Sequence, residues 1–224
     1  MKQLKGRKAA KRPPPPEPDG DTQARILDAA HAVFIRRGTT GARMQEIAGE
    51  AGVNPALLHY YFRNKEQLSE SVFRRAAAQL LPRVIEVMAS DAALENKVAR
   101  VVALELEHLS RAPYLPGYII SELHYHPDRV RQLLATVAGV TPEDVRPKVL
   151  PKLGRQLAAA ARAGTLRRIT ADQFLVNLLS LCIFPFAARP MIMALVGLDQ
   201  HGFERFIARR RDELADFFLR ALRP

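Results

Sequence analysis

Between Asn54 and Lys65 the chain reads NPALLHYYFRNK, residue types that fit the reading of a DNA groove better than any bond-making chemistry. Asn54 followed by Pro55 starts a helix: an asparagine side chain caps free amides, and proline at the first helical position gives up only an amide that had no partner. Leu58 and Phe62 lie one turn apart and can face inward, which leaves Ala56, Leu57, His59, Tyr60 and Tyr61 around the outward side. Such short, flat or aromatic side chains can enter a major groove. Ala56 and Leu57 could touch thymine methyls or equally pack on a neighbouring helix, while His59, Tyr60 and Tyr61 offer hydrogen bonds to phosphates or base edges. At the margins Arg63 and backbone amides could grip phosphates, with Tyr61, Lys65 and Arg43 the main positioning contacts. Thr39 and Thr40 could also meet a phosphate, and Gln45 and Arg43 could reach the backbone or a guanine.

A reader of this kind needs a second helix braced against it and a third beneath both. Ile47, Ala48 and Ala51 form an apolar edge at i, i+1, i+4, and Gly52 ends that helix before Asn54 opens the next, giving a helix-turn-helix. Upstream, Asp21 or Thr22 can cap a longer helix whose Ile26, Ala30, Val33 and Phe34 make the core stripe and whose end is Gly38. Residues 39 to 43 read as a loop.

These spacings resemble the N-terminal domain of the TetR (tetracycline-repressor-like) family over Thr22 to Val72, 51 of the 224 residues. Arg25-Ile26-Leu27 with Ala30, Phe34 and Gly38 is similar to the family's first helix. Glu46-Ile47-Ala48 with Ala51-Gly52-Val53 is similar to its second, and Tyr61-Phe62, Lys65-Glu66 and Leu68 to its third and the start of its fourth. Two positions depart from the pattern: Arg43 stands where the family has a small hydroxyl cap, and His59 where it has a tyrosine.

Composition agrees with a polyanionic partner. The net charge is +11 and the isoelectric point near 10.3, which suits nucleic acid or an anionic surface. Part of that charge is a tail, since residues 1–20 carry six lysines and arginines against two acids and then a proline run. That composition reads as a disordered basic segment able to add salt-dependent affinity along phosphates. The single cysteine, Cys182, excludes an internal disulfide and fits a buried position in a reducing compartment. The basic start leads into prolines rather than an apolar stretch, so no secretory signal is read. The longest apolar run, Leu178 to Ala188, falls short of the ~20 residues of a membrane span. The expectation is a cytoplasmic protein with no membrane partner.

Downstream, every segment reads as helix, and the fold class expected is all-α: a tail over 1–20, a helix-turn-helix domain over 21–68, and a helical effector-binding and dimerisation domain over 69–224. A long helix from Asn64 should kink at Pro82. Ser90-Asp91 should start the next, and the Pro113 to Gly117 region should break it. A short helix follows over Ile119 to Tyr125, another from Pro127 to Gly139, and one from Thr141 to Ala163 bent by Pro147 and Pro151. The helix capped by Thr170 is apolar on all sides, which predicts burial on all sides and a break at Pro185. The last, from Gln200, carries Phe203, Phe206, Ile207, Leu214, Phe217 and Phe218 on one stripe, and with its predecessor could form a four-helix bundle with a second copy.

Enzyme signatures are lacking: there is no glycine-rich phosphate loop or nucleophile elbow. Glu105, Glu107 and His108 with Glu122, His124 and His126 have the donors of a metal site, but His124 and His126 point to different faces; neither metal nor cofactor is expected. A small-molecule cavity between the body helices is expected instead, with Leu104, His108, Tyr118, Glu122, Phe174, Asn177, Leu181 and Phe184 as lining, polar tips among apolar walls.

The reading is a homodimeric, sequence-specific DNA-binding regulator, a repressor. The family resemblance implies that it sits on a near-palindromic operator with its two recognition helices ~35 Å apart, and that a small-molecule effector of unknown identity releases it by favouring a wrongly spaced conformer. The alternatives are a non-specific architectural DNA binder without effector, an enzyme on a helical body, and a membrane-surface protein using the basic tail.

Overall fold

The computed structural model describes residues 20–125, 135 and 142–224, with side chains 122–125, 142 and 144 left aside. The basic tail and the helix expected between Pro127 and Gly139 lie outside the described residues, Ala135 excepted. Ten helices and no strand occur among the described residues: α1 (Gly20–Gly41), α2 (Met44–Ala51), α3 (Pro55–Tyr61), α4 (Lys65–Ala89), α5 (Leu94–Arg111), α6 (Leu115–Tyr125), α7 (Pro142–Arg162), α8 (Ala171–Ala187), α9 (Arg189–Val196) and α10 (Gln200–Ala221).

Two apolar cores organise them. In the first, Ile26, Val33 and Phe34 of α1 meet Ile47 and Ala51 of α2, Leu58 of α3, Phe62, and Leu68 and Val72 of α4. Each buried leucine, isoleucine or phenylalanine contributes about 1.5–3 kcal/mol by leaving water, so α2 and α3, too short to persist alone, are held by a stripe shared with α1 and α4. The second core starts at Phe73 and gathers Val98, Val102 and Leu106 of α5, Leu153 of α7, Phe174 and Leu178 of α8, and Ile207, Leu214 and Phe218 of α10. The long helix α4 thus runs from one core into the other.

Local chemistry sets the ends near the reader. Gly38 (φ 67°, ψ 168°) interrupts α1, and a single further turn reaches Gly41 where a loop was expected. Gly52 (φ 65°, ψ 32°) closes α2, the left-handed conformation glycine adopts without penalty. Asn64 caps α4 by accepting the Gln67 amide at 2.9 Å, and the helix passes Pro82 without interruption to Ala89.

Several expected boundaries move in the body. Ser90 does not start α5. Its hydroxyl donates back to the Val87 carbonyl at 2.7 Å, so it closes α4 instead, and α5 begins at Leu94 behind Ala93, which has no side-chain cap. The region from Pro113 to Gly117 does not separate helices over its whole length, because α6 already begins at Leu115 and takes Pro116 in its first turn, where proline forfeits no hydrogen bond. The helix capped at Thr170 likewise continues through Pro185 to Ala187, and the break falls at Ala188, where α9 departs at 77°. The reason lies four residues back: proline cannot donate to the Leu181 carbonyl, and the Arg210 guanidinium of α10 takes that acceptor at 2.9 and 3.2 Å.

The expected all-round burial of α8 is also corrected. Phe174, Leu178 and Cys182 are buried, but Val176 is 58% and Phe184 54% exposed. Phe217 of α10 is 61% exposed and Leu195 of α9 77%. The apolar composition of α8 serves two faces, of which a single chain covers one. Among the described residues no single helix is long and apolar enough to cross a membrane.

Candidate nucleic-acid interface and effector body

The reader is built as its residue types require. Asn54 Oδ1 accepts the Leu57 amide at 2.7 Å, Pro55 fills the first helical position, and Leu58 and Phe62 anchor α3 in the small core. That anchoring turns Ala56, His59 and Tyr60 to solvent and leaves Leu57 and Tyr61 half-buried, with the Tyr60 and Tyr61 rings edge to face at 5.6 Å. His59 Nδ1 lies 3.2 Å from the Arg63 carbonyl. Since a carbonyl only accepts, Nδ1 is the donor in that bond. Thr40, Arg43 and Gln45 are exposed around the start of α2, and Arg43 occupies the cap position without a side-chain cap bond, leaving its guanidinium for a partner.

Two cations bond backbone carbonyls across the reader, beside the ion pairs Arg36–Glu50 and Arg37–Glu46 that join α1 to α2. Lys65 does not stand free at the edge: its Nζ donates to the carbonyls of Thr40 at 3.0 Å and Ala42 at 3.4 Å, tying α4 to the segment before α2. One of its three N–H donors remains for a phosphate. Arg25 of α1 donates to the Ala51 carbonyl at 3.0 Å and so fixes the turn between α2 and α3. Sequence reading placed Arg25 in the first helix without seeing this task, because the bond joins residues 26 apart.

Reader and body meet at Tyr114, between α5 and α6. Its hydroxyl lies 2.6 Å from His31 Nδ1, and its ring stands edge-on to His31 and Phe34 at 5.5 and 5.6 Å. Tyr114 touches both cores. Nearby, Arg75 of α4 pairs with Asp28 of α1. Burial, followed by the Arg75 charge, holds the His31 pKa below its ordinary value, with Asp28 opposing. Burial also lowers His108, aided by Arg111, His31 and Arg83 and opposed by the Ala76 backbone. His108 Nε2 is buried with no hydrogen-bond partner among the described residues.

The expected lining residues are not gathered into one place. Leu104 and His108 are half-buried on α5, and Tyr118 on α6 stacks at a tilt on Phe73, 5.1 Å between ring centres. Phe174 is fully buried against Phe218 at 5.1 Å, Leu181 is half-buried, and Asn177 and Phe184 face outward. The Glu122 side chain lies outside the described residues. The metal-like set shares that limit, since His126 and the His124 side chain lie there too. Among the described residues no three histidine, cysteine or acidic side chains come together as metal ligands.

One acid that the sequence offered only as a possible metal donor belongs to the core. Glu105, 4% exposed, points into the second core, and burial pushes its pKa to about 7. It raises its neighbour Cys182, whose buried thiol is pushed up to about 12, chiefly by burial. A glutamate at a core-stripe position of α5 was the available signal.

The amino-acid pattern that defines "Bacterial regulatory proteins, tetR family" matches residues 26–72. The HTH-type transcriptional repressor SCO4008 of Streptomyces coelicolor is 33% identical over 123 residues, which is 53% of this chain and 62% of that protein, so the chain spans less than two thirds of this relative's length. The HTH-type transcriptional repressor NicS of Pseudomonas putida is 26% identical over 80% of this chain and 82% of its own. Among solved structures, the transcriptional regulator FadR of Bacillus subtilis in complex with stearoyl-CoA superposes with a TM-score of 0.54 at 18% identity, covering 88% of this chain and 97% of that one.

Proposed function

Because this chain belongs, through residues 26–72, to the tetR family of bacterial regulatory proteins, we propose that it is a sequence-specific DNA-binding repressor, working as a homodimer and released by a small-molecule effector. The observation that carries the reading is the outward face of α3. Leu58 and Phe62 anchor the helix, Asn54 caps it, and Ala56, Leu57, His59, Tyr60 and Tyr61 are turned where a groove can receive them. Base edges would be read by that face, and phosphates held by Thr40, Arg43, Tyr61, the spare N–H of Lys65 and the amides behind Pro55, with Gln45 at the start of α2.

Dimerisation is supported by the uncovered apolar faces of α8 and α10, where Val176, Phe184 and Phe217 stay in solvent in one chain and would be buried between two. An effector in the body is supported by His108 Nε2, a buried ring nitrogen without a hydrogen-bond partner among the described residues; leaving it so costs about 1–3 kcal/mol, which a polar group of a ligand would recover. The other expected lining residues are carried by α5 (Leu104), α6 (Tyr118 and Glu122) and α8 (Phe174, Asn177, Leu181 and Phe184); Asn177 and Phe184, exposed in the single chain, would line a cavity only together with a second chain. Selection of sites from random duplex DNA at two salt concentrations tests the reading. A near-palindromic preference that Arg43→Ala weakens and Tyr61→Phe shifts is expected. Equal binding to all sequences would mark an architectural binder instead.

A further inference from the structure

Between the reader and the body lies a cleft of about 460 Å3, which shares Thr40 and Lys65 with the proposed phosphate contacts and Tyr118 with the expected effector lining. Thr39, at the end of α1, and Ser69, on α4, form one side, and Gly117, Tyr118 and Ser121 of α6 form the other, with Tyr114 between them. No aliphatic side chain lines it. Ser69 is only 7% exposed, yet its hydroxyl makes no hydrogen bond with any described residue. Its oxygen is not among the buried polar atoms left without a partner, of which His108 Nε2 is the one found among the described residues, so it opens onto the cleft and can bond what enters there.

The charges in the cleft cancel. Glu66 lines it and is in no ion pair among the described residues, while Lys65 beside it brings one positive charge, two of its donors already engaged by carbonyls. A net anion or cation would therefore meet as much repulsion as attraction. The carbon surface of the lining comes from tyrosine rings, glycines and threonine methyls rather than aliphatic chains, with the hydroxyls set among it. A molecule with adjacent hydroxyl groups fits on every count: a carboxylate can accept from two of them, the Lys65 N–H and the serine and threonine hydroxyls can complete the shell, and tyrosine rings offer flat faces to its C–H groups.

We propose that this cleft binds a small, uncharged, hydroxyl-rich molecule of sugar size, clasped between the reader and α6. A volume of this order is within the range of small-ligand sites, about 300–1,000 Å3. Its two sides belong to the element that holds the recognition helix and to a helix of the body, so the bound molecule favours one spacing of the two. Resting on the proposed repressor function, the consequence is reciprocal coupling: operator and ligand change each other's affinity by the same factor.

The test uses the full chain with glucose, trehalose and myo-inositol as neutral probes and spermidine, inorganic phosphate and palmitate as contrasts, followed by calorimetric titration and ligand-observed NMR. Two variants aim at the site. Ser69→Ala removes the unpartnered hydroxyl, and Gly117→Phe fills the cleft from a position where an added Cβ meets nothing within 4 Å. At least one neutral probe should bind, about tenfold more weakly to Ser69→Ala and not at all to Gly117→Phe, with both variants melting as the parent does. The proposal is overturned if no neutral probe binds, if Gly117→Phe binds it undiminished, or if a charged or apolar probe takes the site instead. Operator titration without any probe reports separately on the repressor reading. Probe binding with no operator preference defeats that reading and spares the cleft; the converse defeats the cleft alone.

Discussion

Replacing Tyr114 by phenylalanine removes one oxygen from the joint between reader and body and leaves its packing in place. The ring keeps its edge contacts with His31 and Phe34, at 5.5 and 5.6 Å, and only the 2.6 Å bond to His31 Nδ1 is lost. A hydrogen bond of this kind is worth about 1 kcal/mol net, and the stranded imidazole nitrogen adds a further part of its desolvation, so a loss of about 1–2 kcal/mol is expected. For a chain of this size that lowers the melting temperature by roughly 2–8 °C. The joint also carries a pH signature. Because burial and Arg75 lower the His31 pKa, the joint is at full strength above the ordinary histidine value of about 6.5 and weakens as pH falls through and below it. Protonation adds a positive charge beside Arg75 and near the similarly lowered His108, with Asp28 the acid facing it. Calorimetric melting of parent and Tyr114→Phe at pH 7.5 and 5.5, beside operator titrations, reads both effects. If the two proteins melt together at pH 7.5 and the parent is indifferent to acid, the joint does not couple the two cores.

Asn54→Ala should cost about 1 kcal/mol by stripping the cap from a seven-residue helix, and should weaken operator binding more than it lowers the melting temperature; equal operator affinity would show that α3 does not depend on its cap. Glu105→Gln should stabilise the protein on the order of 2–3 kcal/mol at pH 8 and little at pH 4, since a carboxyl raised to about 7 favours the folded state while protonated and disfavours it as pH rises; urea melts at the two pH values decide. Phe184→Lys with Phe217→Lys should leave a folded chain that sediments as a monomer, because both side chains are already exposed in the single chain; an unchanged dimer would place the interface elsewhere.

The reader was legible because its determinants are local. Asn54-Pro55, Gly52 and the pair Leu58 and Phe62 each act within about one helical turn, where composition and spacing decide geometry. The body was less so, because its boundaries answer to distant groups. Pro185 fails to break α8 only because Arg210, 25 residues onward, satisfies the Leu181 carbonyl that the proline cannot reach. Lys97 is fully buried because its ammonium finds the Met88 carbonyl at 2.9 Å and Gln156 at 2.8 Å; sequence periodicity gives no warning of either partner. The same holds for the site residues: the groove-facing set follows from one helix, whereas His108 was drawn from α5 and Phe174 and Phe184 from α8, and the fold sends the three to different surroundings.

Sedimentation of the protein with a selected duplex at micromolar concentration, at low and at raised salt, bears most directly on the paired use of α3. Two protomers per near-palindromic duplex, with a half-site duplex bound far more weakly and affinity falling steeply as salt rises, is the result expected. One protomer per duplex, or equal affinity for the half-site, would contradict it.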